Sequence, residues 1–104
     1  MRFMMLVKAS QASAAGADME KYNEQLARAG VLLDLSSLEP ASKGTRVRFE
    51  GGKRSVVEGP LQESIGGYWL IQAKSKDEAI EWAKRVPFHD GEIEIRRLED
   101  LSTE

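Results

Sequence analysis

GYWLIQAKSKDEAIEWAKRVP, Gly67 to Pro87, changes period in the middle, and that change decides the fold. GYWLIQA is a short apolar run with aromatic and branched side chains, the pattern of a strand. Ser75 stands three residues before Glu78, the spacing of a capping box, in which a hydroxyl and a carboxylate satisfy the free N–H groups that open a helix. From Lys76 to Val86, Ala79, Trp82, Ala83 and Val86 recur at three- and four-residue steps and share one helical face. Pro87 helps to end that helix, because proline carries no N–H and its ring crowds the preceding turn.

Further along, Phe88–Gly91 (FHDG) reads as a turn, Glu92–Leu98 (EIEIRRL) alternates as a closing strand, and LSTE reads as a frayed end. Toward the start, Arg2–Lys8 (RFMMLVK) is an apolar run bounded by charges, which predicts a buried strand. Ser10–Ala17 is small and polar, a loop. Asp18–Ala29 predicts a helix with Met19, Tyr22, Leu26 and Ala29 as its stripe, Asp18 as N-cap and Gly30 just past its end. Val31–Leu38 (VLLDLSSL) follows as a strand, and Pro40 with Ser42-Lys43-Gly44 breaks the chain. TRVRFE and KRSVVE flank Gly51-Gly52, a two-residue glycine turn between alternating strands, which predicts a β-hairpin.

The order is β-α-β, a hairpin, then β-α-β. It predicts an α+β, ferredoxin-like split βαβ fold with an inserted hairpin, and an antiparallel sheet with both helices on one face. The 104 residues form a single domain, 1–104.

Two strands make that layout incomplete. In the first strand Phe3, Met5 and Val7 oppose Met4 and Leu6; in Gly67–Ala73, Trp69 and Ile71 oppose Tyr68 and Leu70. Both faces are apolar, and two helices cover only one. At roughly 25 cal/mol per Å² of apolar area, leaving the other face wet forfeits several kcal/mol, a large share of the roughly 5–15 kcal/mol that holds a domain together. A second copy packed sheet to sheet about a two-fold axis resolves this as a dimeric α+β barrel. A wide ligand groove on a monomer is the alternative.

Composition narrows the function. The chain is 41% hydrophobic and 31% charged, with 15 basic and 17 acidic residues and a net charge of −2. That balance offers no basic stripe for phosphates, so no nucleic-acid partner is expected. With no cysteine and one histidine, thiolate chemistry, disulfides and a standard zinc site are excluded, and no metal or cofactor is expected. The apolar opening before Lys8 is too short for a membrane span or a signal peptide, so no membrane partner is expected; the lack of cysteine suits the cytoplasm. GGKRS is not a phosphate loop: the earlier glycine falls on Val47, and Arg54 replaces the hydroxyl residue.

Tyr22–Leu33 (YNEQLARAGVLL), Ser42-Lys43-Gly44, and Val56–Pro87 followed by GEIEIR together resemble the YCII-related domain family, in its DGPF branch. The branch's Asp-Gly-Pro-Phe is Glu58-Gly59-Pro60-Leu61 here, so the middle two residues match. The resemblance runs from the first strand to the last. It implies a ferredoxin-like α+β dimer and, in YCII-type relatives, a pocket with a His–Asp pair suited to acid–base chemistry. Some relatives act in breakdown of chlorinated aromatic compounds, and some DGPF-type members are encoded beside extracytoplasmic-function sigma factors. The histidine of that pair lies near the front of those chains, where this sequence has none, so the dyad does not carry over.

Three groups are the candidate site residues. Glu58 precedes a stiff Gly59-Pro60 corner, which suits a general base or an anchor for a ligand donor; the alternative is a turn with a solvated carboxylate. His89, the sole histidine, titrates near neutrality and would give an acid–base couple with Glu58 if the two met; the alternative is an exposed turn residue beside Asp90-Gly91. Arg46, Arg48, Lys53 and Arg54 offer four cations to an anionic ligand, with Arg48 as the binding candidate, or else form a charged edge that blocks aggregation. The reading is a homodimer that binds a small polar or aromatic molecule in a cleft, with Gly59, Pro60 and Arg48 as the ligand-binding residues. Either it acts on that molecule by cofactor-independent acid–base catalysis with Glu58 and His89, or it is a non-catalytic ligand-binding or accessory protein of a stress-response operon.

Overall fold

A computed structural model of the chain describes residues 1–8, 16–58, 65–88 and 91–99. The expected loop residues 10–15 and the C-terminal end lie outside them. The elements run β1 (Arg2–Lys8), α1 (Gly16–Arg28), β2 (Leu32–Ser37), a short 3₁₀ turn (Ala41–Lys43), β3 (Thr45–Glu50), β4 (Lys53–Glu58), β5 (Ile65–Gln72), α2 (Lys76–Lys84) and β6 (Ile93–Arg97). Among the described residues β2, β5, β1 and β6 form, in that order, a four-stranded sheet whose neighbours are all antiparallel. β3 and β4 form a separate two-stranded sheet.

The helix ends are written in local chemistry. Ser75 caps α2 by accepting from the Glu78 N–H. The Glu78 carboxylate reaches back one residue further than the usual box, to the Lys74 N–H at 2.6 Å. α2 ends at Lys84 rather than Val86, because Arg85 and Val86 donate to carbonyls three residues back, a tightened last turn ahead of Pro87. α1 begins at Gly16, so Asp18 is not its N-cap but lies in its first turn. A carboxylate is favoured in either place, as a cap or against the positive end of the helix dipole, so sequence does not separate them. At the other end Gly30 (φ +72°) closes a Schellman motif: Gly30 N–H donates to Ala27 O and Val31 N–H to Leu26 O. Ala29 falls in that turn and is exposed, so the buried stripe of α1 is Tyr22 and Leu26, with Met19 half-buried.

Phe3, Met5 and Val7 of β1, Trp69 and Ile71 of β5, Tyr22 and Leu26 of α1, and Ala79 and Val86 from the α2 segment join in one buried cluster, with Ile93 and Ile95 of β6 packed against it. Both helices therefore serve the same sheet face. Tyr22 ties them together: its ring meets Trp69 edge-on, with centroids 5.5 Å apart at 82°, and its hydroxyl donates to the Trp82 carbonyl at 2.7 Å. Burial pushes the Tyr22 phenol far above its ordinary pKa, and nearby Arg85 pulls weakly the other way, so the ring stays neutral.

Met4, Leu6, Tyr68 and Leu70 form the middle of the opposite face and are half-buried by one another and the flanking strands. Glu94 and Arg96 on β6 border them on one side, Asp34 and Ser36 of β2 on the other. A bulge between Leu32 and Asp34 gives β2 this arrangement. It puts Leu32 opposite Ile71 and Leu35 opposite Trp69 on the helix side, while Asp34 turns to the open side and accepts from Tyr68 Oη at 3.1 Å. That hydrogen bond, and the carboxylate charge behind it, raise the Tyr68 pKa.

Candidate ligand-binding site

A cavity of about 250 Å³ opens between α1, the ends of β1 and β2, and the beginning of β5. Trp69, Val7, Leu35, Met19 and Phe88 make its apolar wall. Asn23, Ser36, Ser37 and Tyr68 are the polar residues of its described lining. It is smaller than the roughly 300–1,000 Å³ pockets that take drug-sized ligands, and suits a compact molecule such as a single ring.

Each wall has a structural cause. Trp69 is fixed by burial, by Tyr22 against its ring, and by its indole N–H, which donates to Asn23 Oδ1 at 2.7 Å. Because the Asn23 oxygen is spent on Trp69, its NH₂ is the half of the amide left for a ligand acceptor. β2 comes unusually near β5 here. A Cβ built on Gly67 would stand 2.7 Å from the Ser36 carbonyl oxygen, so only glycine lets Ser36 and Ser37 close this wall. Phe88 is held by its own N–H, which donates to the Val86 carbonyl at 2.8 Å after α2 has ended.

The described lining is uncharged. It contains hydroxyl, amide and aromatic groups but neither carboxylate nor imidazole, so by itself it selects shape and a hydrogen-bonding partner rather than moving a proton.

A family model for the YCII-related domain matches residues 1–102. The chain belongs to the YCII-related domain family. It is also similar to an uncharacterised protein of Rhizobium meliloti (strain 1021), 28% identical over an alignment of 87 positions that covers 78% of this chain and 70% of that one.

In this YCII-related chain the site residues expected from sequence do not line that cavity as a group. Glu58 ends β4, is exposed, and accepts from Thr45 Oγ1 at 3.1 Å across the hairpin. Arg48 is exposed on β3 opposite Ser55, on the other face of the hairpin from Glu58. Gly59, Pro60 and His89 lie outside the described residues; His89 follows Phe88, which does line the cavity. The four hairpin cations do not form one cluster. Arg46, Arg48 and Lys53 share a face, while Arg54 lies across from Phe49 with its guanidinium 5.3 Å from the ring centroid.

Asn23, Ser36 and Ser37 were not singled out by sequence. Asn23 sits beside Tyr22 in a run of polar helix residues, and its role depends on Trp69, a residue far along the chain that only the fold brings near. Ser36 and Ser37 reach the cavity through the bulge and through Gly67, and neither device leaves a period in the sequence.

Proposed function

We propose that this protein is a homodimeric, small-molecule-binding member of the DGPF branch of its family. The carrying observation is the cavity at Trp69, with an aromatic wall and an amide and two serines as its polar partners. A compact ring bearing a hydrogen-bond acceptor fits that lining: the ring faces Trp69 and Phe88, and the acceptor takes the Asn23 NH₂. Strand order β2-β5-β1-β6 supports a ferredoxin-like split βαβ topology. Apolar Met4, Leu6, Tyr68 and Leu70 on the face without helices support sheet-to-sheet pairing into a dimeric α+β barrel. No described helix is long and apolar enough to cross a membrane; a cytoplasmic setting is part of the proposal and rests on the absence of cysteine.

The test uses the two tryptophans as reporters, with catechol and benzoate as probes. Saturable binding should move the Trp69 indole N–H resonance and leave that of Trp82 nearly still, and Asn23→Ala should weaken it about tenfold, the value of one hydrogen bond to a polar ligand. Equal shifts at both indoles, or none across a panel of single-ring acids and phenols, would remove the proposal.

Catalysis is the second reading, and the place of Phe88 in the cavity wall favours it, because His89 is the next residue. Under it His89→Gln abolishes turnover of a bound ring compound while binding persists, and Glu58→Gln does the same. Under the accessory reading both variants bind as the parent does and no form turns anything over.

A further inference from the structure

We infer that the β3–β4 hairpin is an arm that clasps the β2 edge of a second copy of this chain, with Val47, Phe49 and Val56 seated on Leu33 and Leu38. The inference deepens the dimer reading above and rests on it. Among the described residues every exposed large hydrophobic except Met1 lies between Leu33 and Ile65. These residues fall into two groups. Val47, Phe49 and Val56, at 52%, 64% and 66% exposure, share one face of the hairpin, since Val47 pairs with Val56 and Phe49 with Arg54. Leu33, Leu35, Leu38 and Ile65 flank the β2 edge of the sheet, where Ile65 begins β5.

Among the described residues the apolar face of the hairpin stays open, and β3 and β4 pack extensively only on each other. The chain spreads as a plate of 47 × 42 × 18 Å with a radius of gyration of 16.1 Å, against about 13 Å for a compact chain of this length. A lone two-stranded hairpin is marginal in water. Yet this one is specified strongly, with Gly51 and Gly52 both at positive φ (55° and 84°), the geometry of a tight turn matched to strand twist. A hairpin so well defined and so poorly supported needs a surface to lie on.

Apolar fit chooses that surface, since an arm laid on the β2 edge covers both exposed groups at once. The apolar face of the arm also carries Arg54, beside Phe49, and Glu58 at its far end, while Arg46, Arg48, Lys53 and Glu50 line the face turned away. The segment from Val31 to Glu39 carries Asp34 and Glu39 and no cation, so the β2 edge is both apolar and acidic. The opposite edge, β6, is already dressed with charge: Glu94 and Arg96 lie 3.9 Å apart, and Lys8 meets Glu92 at 2.6 Å just ahead of the strand. Six-residue strands give the arm about 20 Å of reach, which matches the six-residue length of β2. Two such contacts, arm to edge and edge to arm, close a two-fold dimer.

The absence of cysteine allows a clean test. Leu33→Cys and Val56→Cys are made in separate proteins, one isotopically labelled, then mixed at a concentration where sedimentation shows the parent to be dimeric, and treated with a short bismaleimide. The expected product is a covalent pair containing one labelled and one unlabelled chain, well above the yield when Glu24→Cys on α1 replaces Leu33→Cys. Phe49→Asp, at an exposed position, should raise the dimer dissociation constant at least tenfold with an unchanged circular dichroism spectrum. A dimer that gives no excess of mixed product, and that Phe49→Asp leaves intact, overturns the arm and leaves sheet-to-sheet pairing standing. A parent that sediments as a monomer at all concentrations overturns both.

Discussion

Val7 in β1 and Val47 in β3 are both strand valines two residues from another apolar side chain on the same face, yet Val7 is 6% exposed and Val47 is 52% exposed. The difference lies in what stands opposite. Val7 belongs to a face on which two amphipathic helices close, with Tyr22 locking one helix to the other. Val47 belongs to a hairpin that has alternation, a tight turn and cross-strand pairs, but no second layer among the described residues. Alternation makes a strand; a second apolar surface makes it buried. The chain thus carries a finished half and a half whose apolar surface looks outward.

Substitutions should separate the two halves. Phe3→Ala, in the finished half, should cost about 3–5 kcal/mol, because it removes a fully buried ring and leaves a cavity. Phe49→Ala, measured by denaturant unfolding at concentrations low enough to disfavour association, should cost no more than about 0.5 kcal/mol. Similar losses at both positions would mean that the hairpin packs within its own chain. Gly67→Ala comes next, at about 1–3 kcal/mol, since its methyl would press the Ser36 carbonyl and part β2 from β5. It should also weaken catechol or benzoate binding at Trp69, whereas Phe49→Ala in the same dilute sample should not.

Ser75→Ala should lower stability by about 1 kcal/mol by uncapping α2. That loss should appear as a lower unfolding midpoint with the hairpin resonances unmoved, since α2 serves the helix-covered face. The smallest effect is at the Lys8–Glu92 pair. Its hydrogen bond and charge hold the Glu92 carboxyl below its usual pKa. The contribution is present above the ordinary carboxylate pKa and fades as pH falls through the lowered one, so Glu92→Gln should flatten the acid side of the stability profile slightly and leave neutral and alkaline stability alone.

Much of the fold was legible because local chemistry wrote it. The Ser75–Glu78 spacing, the glycine pair at the hairpin tip and the glycine after α1 each act over a few residues, and each element appears within a few residues of its expected bounds. The opposed faces of β1 and β5 were legible for the same reason, since side chains alternate along a strand whatever lies beyond it. The site was less legible. Glu58 was picked out by its neighbours in sequence, and its described partner is Thr45 across the hairpin. Asn23 and Trp69, which do face one cavity, are far apart in the chain and meet through a single hydrogen bond.

The sequence by itself determined the strands, the helices, their ends and the fact that more apolar surface exists than two helices can cover, because periods of two and of 3.6 and the preferences of caps and turns are properties of short segments. Only the tertiary structure decided which of that surface is closed and which is left open. The bulge in β2 that turns Asp34 to the open face, the approach of Ser36 to Gly67, and the stand-off of the hairpin from the sheet all depend on how distant segments fit against one another in space.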